Sequence, residues 1–479
     1  MAEKGPLIEQ DDGHYSEEEA LVYISDEKHP SGATRKAEVR RERRLCYCVV
    51  GVMAGSVALG VVVAISLFFT FHEGYFNQDQ DNSVNDSPVT LKTSLTVNTS
   101  ELDHSGEWVL VKWVNVPDPN ISDWVGLYSV PGNFKENGIN VTAKAPVKFQ
   151  YADYSQTHMT KGEGSIQFRL VNIRQPLVFG LFRGGLDTHL ETAQFSQATT
   201  LALSDTVSFK NWNEPLQVHL ALTNDPTEMI VSWVTNSSSN PEVNWGTESG
   251  NLTNTLKANS SSYSASDMCG SPAIDFGYRD PGLLHKAKLS GLQPGLTYYY
   301  TCGDQQFGWS QEFSFRAATP ANASATTRVV VYGDMGNGHV DGTWQVIREQ
   351  PGAVNTSRML RGLVNQTDVV FHIGDISYAR GFANVWDEFF DEVQAVCGNV
   401  PYMVCIGNHE RNWNEPTSYW KSPDSMGECG VPYERRFPMP RPALDQPWYN
   451  IDYGSVHYLV MSTEHNFTKG LHSVPVSGE

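Results

Sequence analysis

Along most of its length the chain alternates apolar and polar residues in one of two ways, and the change falls near residue 328. Beyond that point three continuous apolar runs, RVVVYGD (328–334), DVVFHIGD (368–375) and PYMVCIGN (401–408), each stop at a glycine followed by Asp or Asn. The segments between them, SRMLRGLVNQ (357–366) and NVWDEFFDEVQAV (384–396), repeat apolar residues at helical spacing. Apolar strands joined by helices predict a parallel sheet with both faces covered. The loops that leave the carboxyl ends of such strands share one edge, so Asp334, Asp375, Tyr378 and Asn408 are expected to converge although they come from three loops.

Before residue 328 the runs are shorter and are broken by Pro, Gly and Asn, the pattern of β-sandwiches. EWVLVKWV (107–114), WVGLYSV (124–130) and SIQFRLV (165–171) define a first such domain over residues 88–205, and no ionisable cluster in it suggests chemistry. MIVSWVT (229–235), HKAKLSGLQPGLTYYYTCG (285–303) and QEFSFRA (311–317) define a second, fibronectin type III-like domain over residues 206–318. Trp233 and Tyr298 to Tyr300 are expected in its core rather than on a ligand platform. The linker TPANASATT (319–327) then leads to an α/β domain over residues 326–479.

One segment has neither pattern. Residues 45–71 (LCYCVVGVMAGSVALGVVVAISLFFTF) contain no charged side chain, and a helix of that length rises about 40 Å, enough to cross a hydrocarbon core of about 30 Å. The run is too long and begins too late for a cleaved signal peptide. Arg35, Lys36, Arg40, Arg41, Arg43 and Arg44 precede it, whereas Glu73, Asp79, Asp81 and Asp86 follow it. This asymmetry predicts a type II single-pass protein, with a disordered cytosolic tail (1–44), the transmembrane helix (45–71), a stalk (72–87) and a lumenal or extracellular body. Eleven N-glycosylation acceptor patterns lie after the helix, at Asn85, Asn98, Asn120, Asn140, Asn236, Asn251, Asn259, Asn322, Asn355, Asn365 and Asn466, and the tail holds no Asn at all. Within the tail, Glu3 followed by Leu7 and Ile8 has the form of an acidic dileucine sorting signal for endosomal or vacuolar membranes, with the cell surface as the other destination.

Composition narrows the function further. A net charge of -20 over 479 residues opposes binding to a phosphate backbone, so no nucleic-acid partner is expected. Of the five cysteines beyond the helix, Cys269, Cys302, Cys397, Cys405 and Cys429, at least one must be free or paired with another chain, and spacing leaves the connectivity open. Cys405, inside PYMVCIG, is expected to be a buried free thiol.

The convergent residues carry the chemistry. A single Gly-Asp caps a turn, but three in succession, each closing an apolar strand, bring two carboxylates, an amide and a phenol together. Such a cluster needs a counter-charge. Hard metal ions supply it: a carboxylate can bridge two cations, Asn offers a neutral oxygen, and a phenolate suits ferric iron.

The blocks Gly333-Asp334-Met335-Gly336, Gly374-Asp375-Ile376-Ser377-Tyr378 and Gly407-Asn408-His409-Glu410 resemble the first three signature blocks of the purple acid phosphatases, within the calcineurin-like metallophosphoesterases. WVGLYS, CGSPAIDFGYRDPGLLH, SYARGFANVWDEFF, GECGVPYERRFPMP and WYNIDYGSVHYLVMSTEHNF, in that order, are similar to its large plant-type branch, which includes diphosphonucleotide phosphatases and phosphodiesterases. The resemblance covers about residues 105–467 and implies an acid phosphatase with a dinuclear centre. By this resemblance Asp334 and Tyr378 bind Fe(III), Asp375 bridges it to a divalent Fe, Zn or Mn ion, and Asn408 ligates the divalent ion. His409 is the implied catalytic residue, beside a phosphate oxygen or the leaving group, while His372 is expected in the core and Glu410 in a structural role.

The implied partners are a phosphomonoester or nucleotide di- or triphosphate substrate, a membrane reached through the single helix, and a second copy of the chain. The family's remaining metal ligands are three histidines, one in a Val-x-x-His or Gly-His block and two in a Gly-His-x-His block. Neither block follows, and His457, His465 and His472 occupy other segments. The expectation is therefore a metallophosphoesterase domain lacking its closing strands. The alternative is an inactive membrane glycoprotein whose β domains bind a partner.

Overall fold

The computed structural model describes residues 92–130, 144–186, 197–321, 324, 326–346, 350–415 and 418–466. All of them belong to one compact unit, Leu91–Glu479. The expected tail, membrane helix and stalk lie outside the described residues, as does His472. Among the described residues no helix is long and apolar enough to cross a membrane.

The alternating runs near the start of this unit form two facing antiparallel sheets. Ser94–Val97, Glu107–Val114 and Gly164–Leu170 make one, and Lys148–Tyr151, Asp123–Ser129, Leu177–Arg183 and Thr199–Leu203 the other. Period-2 alternation turns Val109, Val111 and Trp113 inward against Leu127, Phe179 and Leu181. The short strand Ser208–Phe209 pairs back on Glu101–Leu102, so this sandwich runs through Phe209.

A second pair of sheets follows. Leu216–Ala221, Met229–Thr235, Leu283–Leu289 and Asn259–Ser261 form one. The other is built on Glu242–Gly246 and Thr297–Asp304. Trp233, Tyr298 and Tyr300 are buried in this core, and Tyr300 stacks on Phe313.

The three apolar runs form a parallel sheet whose strands are β1 (Val329–Tyr332), β2 (Val369–Ile373) and β3 (Tyr402–Cys405), in that spatial order. Helix α1 (Ala353–Leu363) lies between β1 and β2 in the chain, and α2 (Ala383–Cys397) between β2 and β3. One face carries Tyr332, His372 and Val404 in register. His372 is fully buried there, hydrogen-bonded through Nδ1 to the Tyr402 hydroxyl at 2.8 Å, and burial lowers its pKa to about 3. It is a core histidine.

The opposite face carries Val331, Phe371 and Met403. A hairpin, Tyr449–Tyr453 and Val456–Val460, lays Tyr458 on Phe371 at a ring distance of 4.8 Å. Val331 and Ile373 remain 39% and 56% exposed, unusual for the side chains of a parallel sheet.

Helix α2 sets the fold apart from a simple amphipathic reading. Asp387, Glu388 and Glu392 are buried along with its apolar residues. The first sandwich supplies partners for Asp387 and Glu388, while Glu392 accepts from Ser357 Oγ at 3.0 Å and Gly338 N–H at 3.2 Å. Lys148 lies 3.2 Å from Asp341 and 3.5 Å from Glu388, and Arg174 lies 2.6 Å from Asp387. Buried charges persist only when paired in this way, so these contacts lock the sandwich to the α/β domain.

Candidate metal centre

Three neighbouring parallel strands end side by side, and each hands its chain to a glycine. The turns are knitted together by backbone bonds: Asp334 N–H donates to the Gly374 carbonyl at 3.2 Å, and Gly336 N–H to that of Ile376 at 3.0 Å. Asp334, Asp375 and Tyr378 all hold left-handed backbone conformations, with φ of 58°, 51° and 53°. Such strain in non-glycine residues costs energy and clusters at functional sites. Gly407 is required for a different reason: a Cβ there would lie 2.2 Å from Oδ1 of Asp375 and 2.4 Å from its backbone nitrogen.

The side chains converge accordingly. The Tyr378 hydroxyl donates to Asp334 Oδ1 at 3.0 Å and lies 3.3 Å from Asp375 Oδ2. The other oxygen of Asp375 accepts the backbone N–H of His409 at 3.1 Å. The His409 ring stands beside the Tyr378 ring, 4.5 Å between centroids. Burial raises the pKa of Asp375, and burial together with the charge of Asp375 raises that of Tyr378.

Asn408 opens a one-turn helix, Asn408–Arg411, and its Nδ2 donates to Asp424 Oδ2 at 3.0 Å. His409 Nδ1 bonds the Asp424 carbonyl at 3.0 Å. Glu410 is buried, and its carboxylate accepts the backbone N–H groups of Asp375, Ile376 and Gly407 at 2.8–3.0 Å. Burial pushes its pKa up to about 8, although the three donors favour the anion. Glu410 thus ties the second and third turns to each other, the structural role expected of it.

All four residues that the sequence suggests as ligands, with His409, therefore meet at one edge. Two carboxylates, a phenol and an amide oxygen are hard donors that suit ferric iron and a divalent partner, and one phenolic proton now links the two carboxylates that cations would neutralise. These four donors fit part of the coordination of a metal pair, and the family's three histidine ligands have no counterpart among the described residues. The histidines near the end of the described chain take no part: His457 bonds Asp452 at 2.6 Å, and His465 bonds Ser462 and Asp445 at 2.8 and 3.1 Å.

Two features escaped sequence reasoning. Asp424 lies in a loop without a recognisable pattern, and no signal marked it. Cys269 and Cys429 form a disulfide across 160 residues; Cys302 and Cys397 are buried free thiols, and Cys405, expected to be buried, is only half-buried. Among the described residues the one group of three His, Cys, Asp or Glu side chains close enough together to hold a metal is Cys269, Glu415 and Cys429, none of them a residue of this site, and the disulfide takes up both of its thiols.

Comparison with known proteins identifies the family of the chain. The chain matches family models for the Fn3-like domain from purple acid phosphatase (residues 91–211), the purple acid phosphatase N-terminal domain (215–317) and the calcineurin-like phosphoesterase (327–471). Two relatives from Arabidopsis thaliana are named probable inactive purple acid phosphatases. Number 27 is 37% identical over 75% of this chain and 60% of its own length, and number 1 is 35% identical over 87% and 70%. The chain thus spans between three-fifths and seven-tenths of the length of these relatives. A solved structure, the purple acid phosphatase PPD1 from yellow lupin (Lupinus luteus) seeds, superposes with a TM-score of 0.72 at 34% identity, covering 79% of this chain and 68% of that one. With two β sandwiches placed ahead of a phosphoesterase sheet whose strand ends gather these oxygen donors, the chain belongs to the purple acid phosphatase family.

Proposed function

We propose that this chain hydrolyses phosphate esters at a dinuclear centre, with Asp334 and Tyr378 holding Fe(III), Asn408 holding a divalent Fe, Zn or Mn ion, and Asp375 shared between them. The observation that carries this is the Tyr378 hydroxyl set between the carboxylates of Asp334 and Asp375. When bound, the cations supply the positive charge that attracts a phosphate ester and the acidity that readies water for in-line attack.

The protein's own groups do the rest. Asp334 and Asp375, aimed by their left-handed turns, would fix where the cations sit and so where a phosphate can dock. A carbonyl can only accept, so the bond to Asp424 keeps the proton of His409 on Nδ1. Nε2 is then the atom that faces the substrate, and it can hand a proton to the departing alkoxide or donate to a phosphate oxygen only in the imidazolium form, in which both ring nitrogens carry protons. Substrates of this site are phosphomonoesters or nucleotide di- and triphosphates.

The body of the protein is proposed to stand in the secretory lumen or outside the cell, anchored by residues 45–71. The arginines before that segment support this orientation. So does the exposure of seven acceptor asparagines, Asn98, Asn120, Asn236, Asn251, Asn259, Asn355 and Asn365. The Cys269–Cys429 disulfide suits an oxidising compartment.

A second reading has one specific support, that the two Arabidopsis relatives are named probable inactive. In it the site is catalytically silent and the β domains bind a partner. One assay separates the two: hydrolysis of p-nitrophenyl phosphate and of ADP at mildly acidic pH by the metal-loaded chain and by Asp375→Asn. The proposal expects turnover that falls at least about 100-fold in the variant. No turnover by the unmutated chain, or equal turnover by both, refutes it.

A further inference from the structure

Asp424 touches both residues that follow Gly407. Its Oδ2 accepts from Asn408 Nδ2 at 3.0 Å and from Ser422 Oγ at 2.6 Å, while its carbonyl takes His409 Nδ1 at 3.0 Å. An amide offers a metal only its oxygen. Asn408 also lies beside the anionic Asp375, whose carboxylate already accepts the neighbouring N–H of His409. That carboxylate would attract an unrestrained amide by its NH2 end, leaving Oδ1 turned away. Engaging Nδ2 elsewhere removes this competition.

The loop that carries Asp424 is held from several sides. Ser425 N–H donates to the Asn412 carbonyl at 3.0 Å, and Cys269 N–H to that of Gly427 at 2.8 Å. Glu428, buried, accepts from Gly381 N–H and Trp386 Nε1, each at 3.2 Å. The Cys269–Cys429 disulfide fastens the loop to the preceding β domain. A carboxylate anchored this firmly can impose an orientation on a neighbour.

The geometry points to Asp424 as a positioning residue for the divalent site: it selects the amide orientation in which Asn408 presents Oδ1 to the metal, and through its carbonyl it fixes the Nδ1–H form of His409. This inference rests on the dinuclear reading proposed above and deepens it. Asp424 itself touches neither metal nor substrate in this scheme.

The test uses the full chain loaded with iron and Zn(II), with Zn(II) affinity measured by chelator competition and the iron chromophore by visible absorption. Asp424→Ala should weaken Zn(II) binding about 10- to 100-fold and leave the chromophore unchanged, because Tyr378 and Asp334 do not depend on Asp424. Asp424→Asn, which keeps an acceptor oxygen for Asn408 and Ser422, should recover most of the affinity and guards against mere misfolding of the alanine variant. Affinity within twofold of the unmutated chain in Asp424→Ala overturns the inference alone. Loss of Zn(II) and chromophore together in both variants also overturns it, since that is the mark of a general structural role. No metal uptake by the unmutated chain overturns the dinuclear reading, and this inference falls with it.

Discussion

A methyl group at position 407 would sit 2.2 Å from Oδ1 of Asp375 and 2.4 Å from its backbone nitrogen. Both distances fall far inside van der Waals contact, so the two turns would have to separate by about 1 Å to reach an ordinary spacing. The backbone at Gly407 is extended, with φ -106° and ψ -179°, a conformation open to alanine, and the penalty of Gly407→Ala is therefore steric alone. The turn cannot relax freely, because Glu410 joins Gly407 N–H to those of Asp375 and Ile376. Overpacking of this kind costs about 1–3 kcal/mol. The same displacement misaligns Asp375 relative to Asn408, so iron and zinc uptake should fall together.

Gly362 in helix α1 serves as the control. A Cβ there meets nothing within 4 Å, and Gly362→Ala should stabilise by about 0.5–1 kcal/mol with metal content unchanged. Denaturant unfolding and metal analysis of both variants decide the matter. A Gly407→Ala protein with unaltered stability and full metal content would refute the packing of these turns.

Two further outcomes follow from groups away from the site. Opening the Cys269–Cys429 disulfide in Cys269→Ser/Cys429→Ser releases a 160-residue loop and should cost about 2–5 kcal/mol, read as a lower melting temperature that reductant no longer changes. Stability should also depend on pH with a definite sign. Burial raises Glu388 and Glu392 from 4.5 to about 7 and Glu428 to about 8, so the folded state keeps protons that the unfolded chain releases above pH 4.5, and stability is lost as pH rises toward 8. Burial lowers His219 and His285 from 6.5 to about 4 and His372 to about 3, so stability is lost as pH falls below 6.5. Between about pH 4.5 and 6.5 the two sets oppose each other and nearly cancel. The melting temperature should therefore form a plateau there and fall above it, and a melting temperature still rising from pH 6.5 to 8 would contradict the burial of these glutamates.

The strand ends were legible because chemistry and pattern coincide there. An apolar run that stops at Gly-Asp marks both the last buried residue and the first functional one, and in a parallel sheet strand order alone brings Asp334, Asp375 and Asn408 together. The runs 107–114 and 229–235 were equally plain, since alternation maps onto Glu107–Val114 and a short, nearly continuous buried run onto Met229–Thr235. What escaped the sequence depends on contacts between distant segments. The helical spacing of 384–396 carries no sign that its acidic residues are buried, yet Lys148 and Arg174, more than 200 residues earlier, pair with Glu388 and Asp387 in the interior. Asp424 has no spacing that signals its partner, because its bond to Asn408 is a tertiary contact across 16 residues of irregular chain. The expected membrane helix and tail lie outside the described residues.

Whether Tyr378 and Asp334 hold ferric iron, as proposed, is decided by the iron content and visible absorption of the purified chain beside Tyr378→Phe. The expected result is a coloured, iron-containing protein whose phenolate-to-iron charge-transfer band vanishes when the hydroxyl is removed. A colourless protein that takes up no iron, or a band that survives in Tyr378→Phe, would contradict it.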